Sequence, residues 1–204
     1  MGQMPNYYRK NAAQGAARRV LAGKKANPEQ MRDVVGQVVT WCYLIAVRGV
    51  TEWNAAEMDK LLDNANKNAQ DYMIRVRTVG AKSARKWLDG VADGLTFVLP
   101  ADKPQKTKAA RDELAQKRMG AEMAWEILTA ALIRKAPWGC GVDKKTAQRV
   151  LNETASVYKR FLDWAVEGDA YGMERLKRDV ESVLGEAVEV VDDHCGAVFS
   201  DRLY

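Results

Sequence analysis

The sequence predicts an all-α protein built from two repeated three-helix units, with two short β-prone segments. Three observations predict it. Apolar residues recur at helical i, i+3, i+4, i+7 spacing in six stretches; capping residues, Gly and Pro punctuate those stretches; and the order of elements in the first half returns in the second. A chain of 204 residues can hold one large or two small cores. With 29% charged and 47% hydrophobic residues it has ordinary globular composition, which argues against disorder as its dominant state.

Asn27 and Pro28 read as the N-cap and first turn of a helix running to about Arg48, since Pro fits the first turn and Asn accepts an orphan N–H. Its residues Met31, Val34, Val35, Val38, Val39, Cys42 and Ile45 make one broad apolar stripe, and Gly49 is a plausible stop. Thr51 or Asn54 caps the second helix, which carries Met58, Leu61, Leu62, Ala65 and Ala69 and reaches Tyr72 to Val76. A third helix from about Lys82 to Asp93 presents Ala84, Trp87, Leu88, Val91 and Ala92. Leu95 to Leu99 is β-prone, ends at Pro100 and reads as a short strand.

Residues 101–113 are polar, with Lys103, Pro104, Lys106 and Lys108, and read as a linker. The fourth helix holds Met119, Met123, Trp125, Ile127, Leu128, Ala131 and Leu132 and stops before Pro137. Asp143 caps a fifth with Ala147, Val150, Leu151, Ala155, Tyr158, Phe161, Leu162 and Ala165. A sixth starts near Asp169 and uses Met173, Leu176, Val180, Val183 and Leu184, ending at Gly185; Ala187 to Val191 is again β-prone. Lys60-LLDNANKNAQDYMI lies against Arg149-VLNETASVYKRFLD, and Trp87-LDGVADGLTFVL against Lys177-RDVESVLGEAVEVV, so the reading is a duplication whose end strands can pair in a small ladder. The resulting organisation is a basic arm (1–26), a first unit (27–100), the linker (101–113), a second unit (114–191) and an acidic tail (192–204).

The charge of +5 is uneven. Arg9, Lys10, Arg18, Arg19, Lys24 and Lys25 have no acid among residues 1–25, whereas residues 179–204 set seven acids against Arg202. Such asymmetry suggests a polyanionic partner, or contact between the ends of neighbouring molecules. The candidate nucleic-acid or anion-binding residues are therefore Tyr7, Tyr8, Arg9, Lys10, Arg18 and Arg19, which combine cations with rings for stacking, and a second cluster of Arg75, Arg77, Lys82, Arg85 and Lys86, with no acid between Asp71 and Asp89. A solvated terminus and an ordinary exposed helix face are the structural alternatives. No helix-turn-helix, zinc-finger, RRM or KH signature is present to read base sequence.

The loop Trp138-GCGVDKK enters a helix N-terminus, where backbone N–H groups can hold an anion, but it lacks phosphate-loop spacing and capping by Asp143 explains it better. His194 is the sole histidine. It forms no catalytic pair with adjacent Cys195 and no metal set with Cys42 and Cys140, so all three cysteines read as free thiols of a reducing compartment. Asp192 with Asp193, and Glu122 with Glu126, fit surface chemistry better than acid–base catalysis. Neither an enzyme nor a cofactor or metal is expected. The six tryptophans read as core, with one or two near turns as interface anchors. The most apolar run, Val34 to Val50, is broken by Gly36, Gln37, Thr40 and Arg48, so no membrane partner is expected. Residues 1–25 lack a signal-type apolar stretch, which makes the cytoplasm the expected location.

Trp138-GCGVDKKTAQRVLNE and Leu176-KRDVESVLGEAVEV resemble segments of small helical accessory proteins from phages and prophages of Gram-positive bacteria, over the last third directly and elsewhere through the repeat. The resemblance implies a phage accessory protein, a class that includes nucleic-acid-handling factors and inhibitors of host defence. The expectation is a non-enzymatic protein that binds nucleic acid or a nucleoprotein. The alternatives are a protein-partner module using an apolar helical face, or a helical sponge for a small anionic ligand.

Overall fold

The computed structural model describes residues 28–98, 106–167 and 169–188, and within them the chain is all-helical. The helices are α1 (Pro28–Thr51), α2 (Ala55–Val79), α3 (Ala81–Val91), α4 (Lys108–Ile133), α5 (Lys144–Ala165) and α6 (Asp169–Leu184). The Asn27 cap, the arm 1–26 and the tail 192–204 lie outside the described residues.

Local chemistry accounts for the helix ends. Asn54 starts α2 with a complete capping box, its Oδ1 accepting from Glu57 N at 3.1 Å while Glu57 Oε2 accepts from Asn54 N at 2.8 Å. Thr107 caps α4 and Asp143 caps α5. The bonds Asp143 accepts from the backbone N–H and hydroxyl of Thr146 hold its carboxyl below the usual carboxylate range. Gly80, at φ +86°, both ends α2 and opens α3, a backbone state that suits only glycine. The stop of α1 differs from expectation. The helix passes through Gly49, and it is Glu52 that turns left-handed at φ +58°, its backbone N–H donating to Arg48 O while its carbonyl accepts from Arg48 Nη1. In the stretch read as a linker, helix α4 has begun by Lys108.

Helices α1 and α4 form the centre. Helix α1 packs on α4, α5 and α6; α4 packs on α1, α2 and α3; α2 holds α3, and α5 holds α6. This surrounds α1. Rather than one stripe, Val34, Val35, Val38, Val39, Trp41, Cys42, Tyr43, Leu44, Ala46 and Val47 are all buried, as expected for a helix packed on several sides. By length and composition alone, Arg32–Thr51 is apolar enough to cross a bilayer, yet 72% of its most apolar stretch is buried inside the protein. Two of the hydroxyl groups in this interior are paired. Thr40 Oγ1 donates to Gly36 O, and the Tyr43 hydroxyl meets Thr129 Oγ1 at 3.2 Å across the α1–α4 contact. The axes approach closely at Gly120, where a Cβ would lie 2.2 Å from the carbonyl oxygen of Arg32.

No strand forms among the described residues. At the segment read as the first strand, both peptide groups of Thr96 are taken by the Gln148 side chain, N–H to Oε1 and C=O from Nε2, each at 2.9 Å. One side-chain amide thus fills the place of a strand partner, and Phe97 packs on Trp125 with ring centroids 5.6 Å apart. Leu99 lies outside the described residues, as do residues 189–191 of the second segment.

Candidate functional site

The second basic cluster divides in two. Arg75 Nε pairs with Asp71 Oδ1 at 3.2 Å, and its guanidinium lies 4.3 Å from the Trp87 ring centroid. Arg85 binds three carboxylates, with Asp89 at 3.0 Å, Glu122 at 3.2 Å and Glu126 at 2.6 Å. Both arginines are thus ion-paired within the fold. Arg77, Lys82 and Lys86 are exposed, and no carboxylate among the described residues pairs with them. Tyr7, Tyr8, Arg9, Lys10, Arg18 and Arg19 lie outside the described residues.

The acid pair Glu122 and Glu126 departs from the surface reading. Glu122 is exposed, but Glu126 is 4% exposed in the α3–α4 contact, with Oε1 on Arg85 and Oε2 buried without a partner. Burial pushes its carboxyl up to about 7; Arg85 opposes this, and Asp89 and Glu122 add to it.

A feature that charge counting does not reveal lies where α2 meets the loop after α4. The chain after α4 folds back on the helix end: Cys140 N–H donates to Ala131 O, Gly141 N–H to Arg134 O, and Val142 N–H to Leu132 O. These donors satisfy the last carbonyls of α4, so they are not aimed at an anion, and the helix that follows is capped by Asp143 as expected. The Ala136–Pro137 bond is cis, and Gly139 sits where a Cβ would lie 2.2 Å from Arg134 O. Trp138 lies at the surface, 41% exposed.

Its support is a polar and aromatic stack. The Arg134 guanidinium lies 5.2 Å from the Trp138 ring centroid and 5.5 Å from that of Trp87. Buried Asn68 joins the elements: Nδ2 donates to Asn64 O and Trp138 O, both at 2.7 Å, and Oδ1 accepts from Arg134 Nη1. Asp71 Oδ2 is 3.7 Å from Arg134. Burial pulls the Arg134 guanidinium below the ordinary arginine value, with Asp71 working against that shift. Beside the stack, Ile74, Pro137 and Trp138, with Lys67, Gln70 and Asp71, line a groove of about 230 Å³. A separate hollow of about 430 Å³, sharing Lys67 and Pro137 with it, reaches Asp59, Lys60 and Asp63.

The sequence held a signal for this site. Asn64 and Asn68 interrupt the apolar face of α2 between Leu61 and Tyr72, a pattern that requires buried partners. The expectation of an exposed tryptophan near a turn is met at Trp138. Both described thiols are raised by burial, Cys42 fully enclosed and Cys140 opposed by a contact from Asn64 at 3.7 Å, so neither has the character of a reactive thiolate. Among the described residues no group of His, Cys, Asp and Glu is placed to hold a metal ion; His194 and Cys195 lie outside them.

Comparison with protein-family models, curated proteins and solved structures finds no match.

Proposed function

We propose that this chain is a non-enzymatic, cytoplasmic binding protein that contacts nucleic acid or a nucleoprotein through the α2–α3 corner. The observation that carries the reading is the exposure of Arg77, Lys82 and Lys86 without carboxylate partners among the described residues, on two helices joined at Gly80. Unpaired cations at one corner release counterions when they meet phosphates. The resemblance to phage accessory proteins fits such a role, for instance as an inhibitor of a host defence complex.

The test is salt dependence. Gel shifts at low salt should detect DNA or RNA binding that weakens steeply as salt rises. Replacing Arg77, Lys82 and Lys86 together by Ala should lower the log–log salt slope by roughly 2–3. Absence of binding to any DNA or RNA at low salt would falsify the reading, and salt-insensitive capture of a protein would favour the partner-module alternative.

We also read the two halves as copies of one unit. Support comes from burial at positions 89 residues apart: Val35 and Ala124, Val38 and Ile127, Val39 and Leu128, Leu61 and Val150, Ala65 and Thr154, Tyr72 and Phe161. The packing is also matched, because α1 on α5 has its counterpart in α4 on α2, and α2 with α3 in α5 with α6. In the third helices and the cap that ends the first of them, buried Ala84, Leu88 and Ala92 correspond to Leu176, Val180 and Leu184, two residues from the pairing their sequences suggest.

A further inference from the structure

We infer that the groove between α2 and the loop 134–142 takes an unpaired base of a single-stranded nucleic acid, stacked on Trp138, with the neighbouring phosphates led to Arg77, Lys82 and Lys86. The inference rests on the nucleic-acid reading above and narrows it to single strands.

Three features favour a base as the occupant. Trp138 is exposed, yet its peptide carbonyl is held by Asn68 and its ring is backed by Arg134, which in turn reaches Trp87 and shares Asp71 with Arg75. A platform fixed in advance loses little freedom on binding. The groove beside it is flanked by Ile74 and Pro137, with Gln70 and Lys67 to meet polar edges. Every unpaired base offers a π-face to such a surface, whereas a duplex keeps its bases stacked internally.

Charge sets the direction of the strand. Ile74 and Arg77 are three residues apart on α2 and so share a side of the helix. Helix α3 turns back at Gly80 far enough for Trp87 to meet Arg75, and Lys82 and Lys86, one turn apart, are exposed on α3 just beyond that turn. At the opposite end the hollow sets Asp59 and Asp63 against Lys60 and Lys67, so its charges balance and it offers phosphate no net attraction. The Asp71 carboxylate is already held by two arginines. The net positive path therefore leaves the groove toward the cations of the corner.

The experiment uses the full chain with labelled homopolymeric DNA and RNA single strands and a duplex of equal length, read at low salt by anisotropy and tryptophan fluorescence. Circular dichroism confirms that each variant folds. Single strands should bind more tightly than the duplex and quench tryptophan emission. Trp138→Ala should weaken single-strand binding about tenfold, Trp138→Phe by less, and Ile74→Glu, at an exposed position, should match the loss in Trp138→Ala. If both Trp138→Ala and Ile74→Glu bind single strands as wild type does while salt-sensitive binding persists, the base site is wrong and the corner reading stands. Equal affinity for duplex with no quenching has the same meaning. No binding to any oligonucleotide removes both.

Discussion

At the scale of single residues, the buried polar side chains explain more than the charged surface does. Arg85 looks like a free cation in the sequence, but α4 supplies Glu122 and Glu126 to it from 37 and 41 positions away. Glu126 then has a distinct consequence. Its carboxyl keeps a proton in the fold up to about pH 7 and ionises near 4.5 in the unfolded chain. Between those values the unfolded state releases a proton that the folded state retains, so this group's contribution to stability falls as pH rises across that window. The charged groups around it are Arg85, Asp89 and Glu122, with Tyr72 nearby. Glu126→Gln cannot ionise. Urea titrations from pH 4.5 to 7 should show wild type losing on the order of 1–3 kcal/mol relative to this variant. Parallel curves would mean that Glu126 titrates normally.

At the scale of elements, helix contacts are decided by where two backbones can approach. Gly120 lies in a helix, where glycine is ordinarily costly, and its place is explained by the Arg32 carbonyl facing it. Gly120→Ala should destabilise by about 1–3 kcal/mol, because the added methyl must push α1 and α4 apart. Gly90→Ala in α3 meets no atom within 4 Å and should stabilise by roughly 0.5–1 kcal/mol through helix propensity alone. Denaturant midpoints of the two variants moving the same way would contradict this account. The loop after α4 belongs to the same scale. Its conformation depends on carbonyls at the α4 terminus and on Asn68 from α2, so Trp138 is positioned by three segments together.

At the scale of the whole molecule, the buried apolar residues of all six helices form one cluster. The second helix of each half packs on the first helix of the other half, α2 on α4 and α5 on α1. Neither half encloses its own core, and separate melting would expose the interior of both. Thermal or urea unfolding should therefore follow one cooperative transition, with far-UV circular dichroism and tryptophan fluorescence coincident. Two resolved steps would show that the halves are stable independently.

Sequence periodicity determined the helices, because apolar spacing and capping are local properties: Asn54, Thr107, Asp143 and Gly80 act within four residues of themselves. What remained for tertiary structure was the partner of each side chain. That choice neutralised Arg85, buried Glu126, occupied the peptide groups of Thr96 with Gln148 and built the Trp138 groove from α2 and a loop some 70 residues later. Charge along a chain can be counted, but whether it meets phosphate or a carboxylate depends on residues brought near only when α1 and α4 cross. Here that left Arg77, Lys82 and Lys86 exposed at the corner.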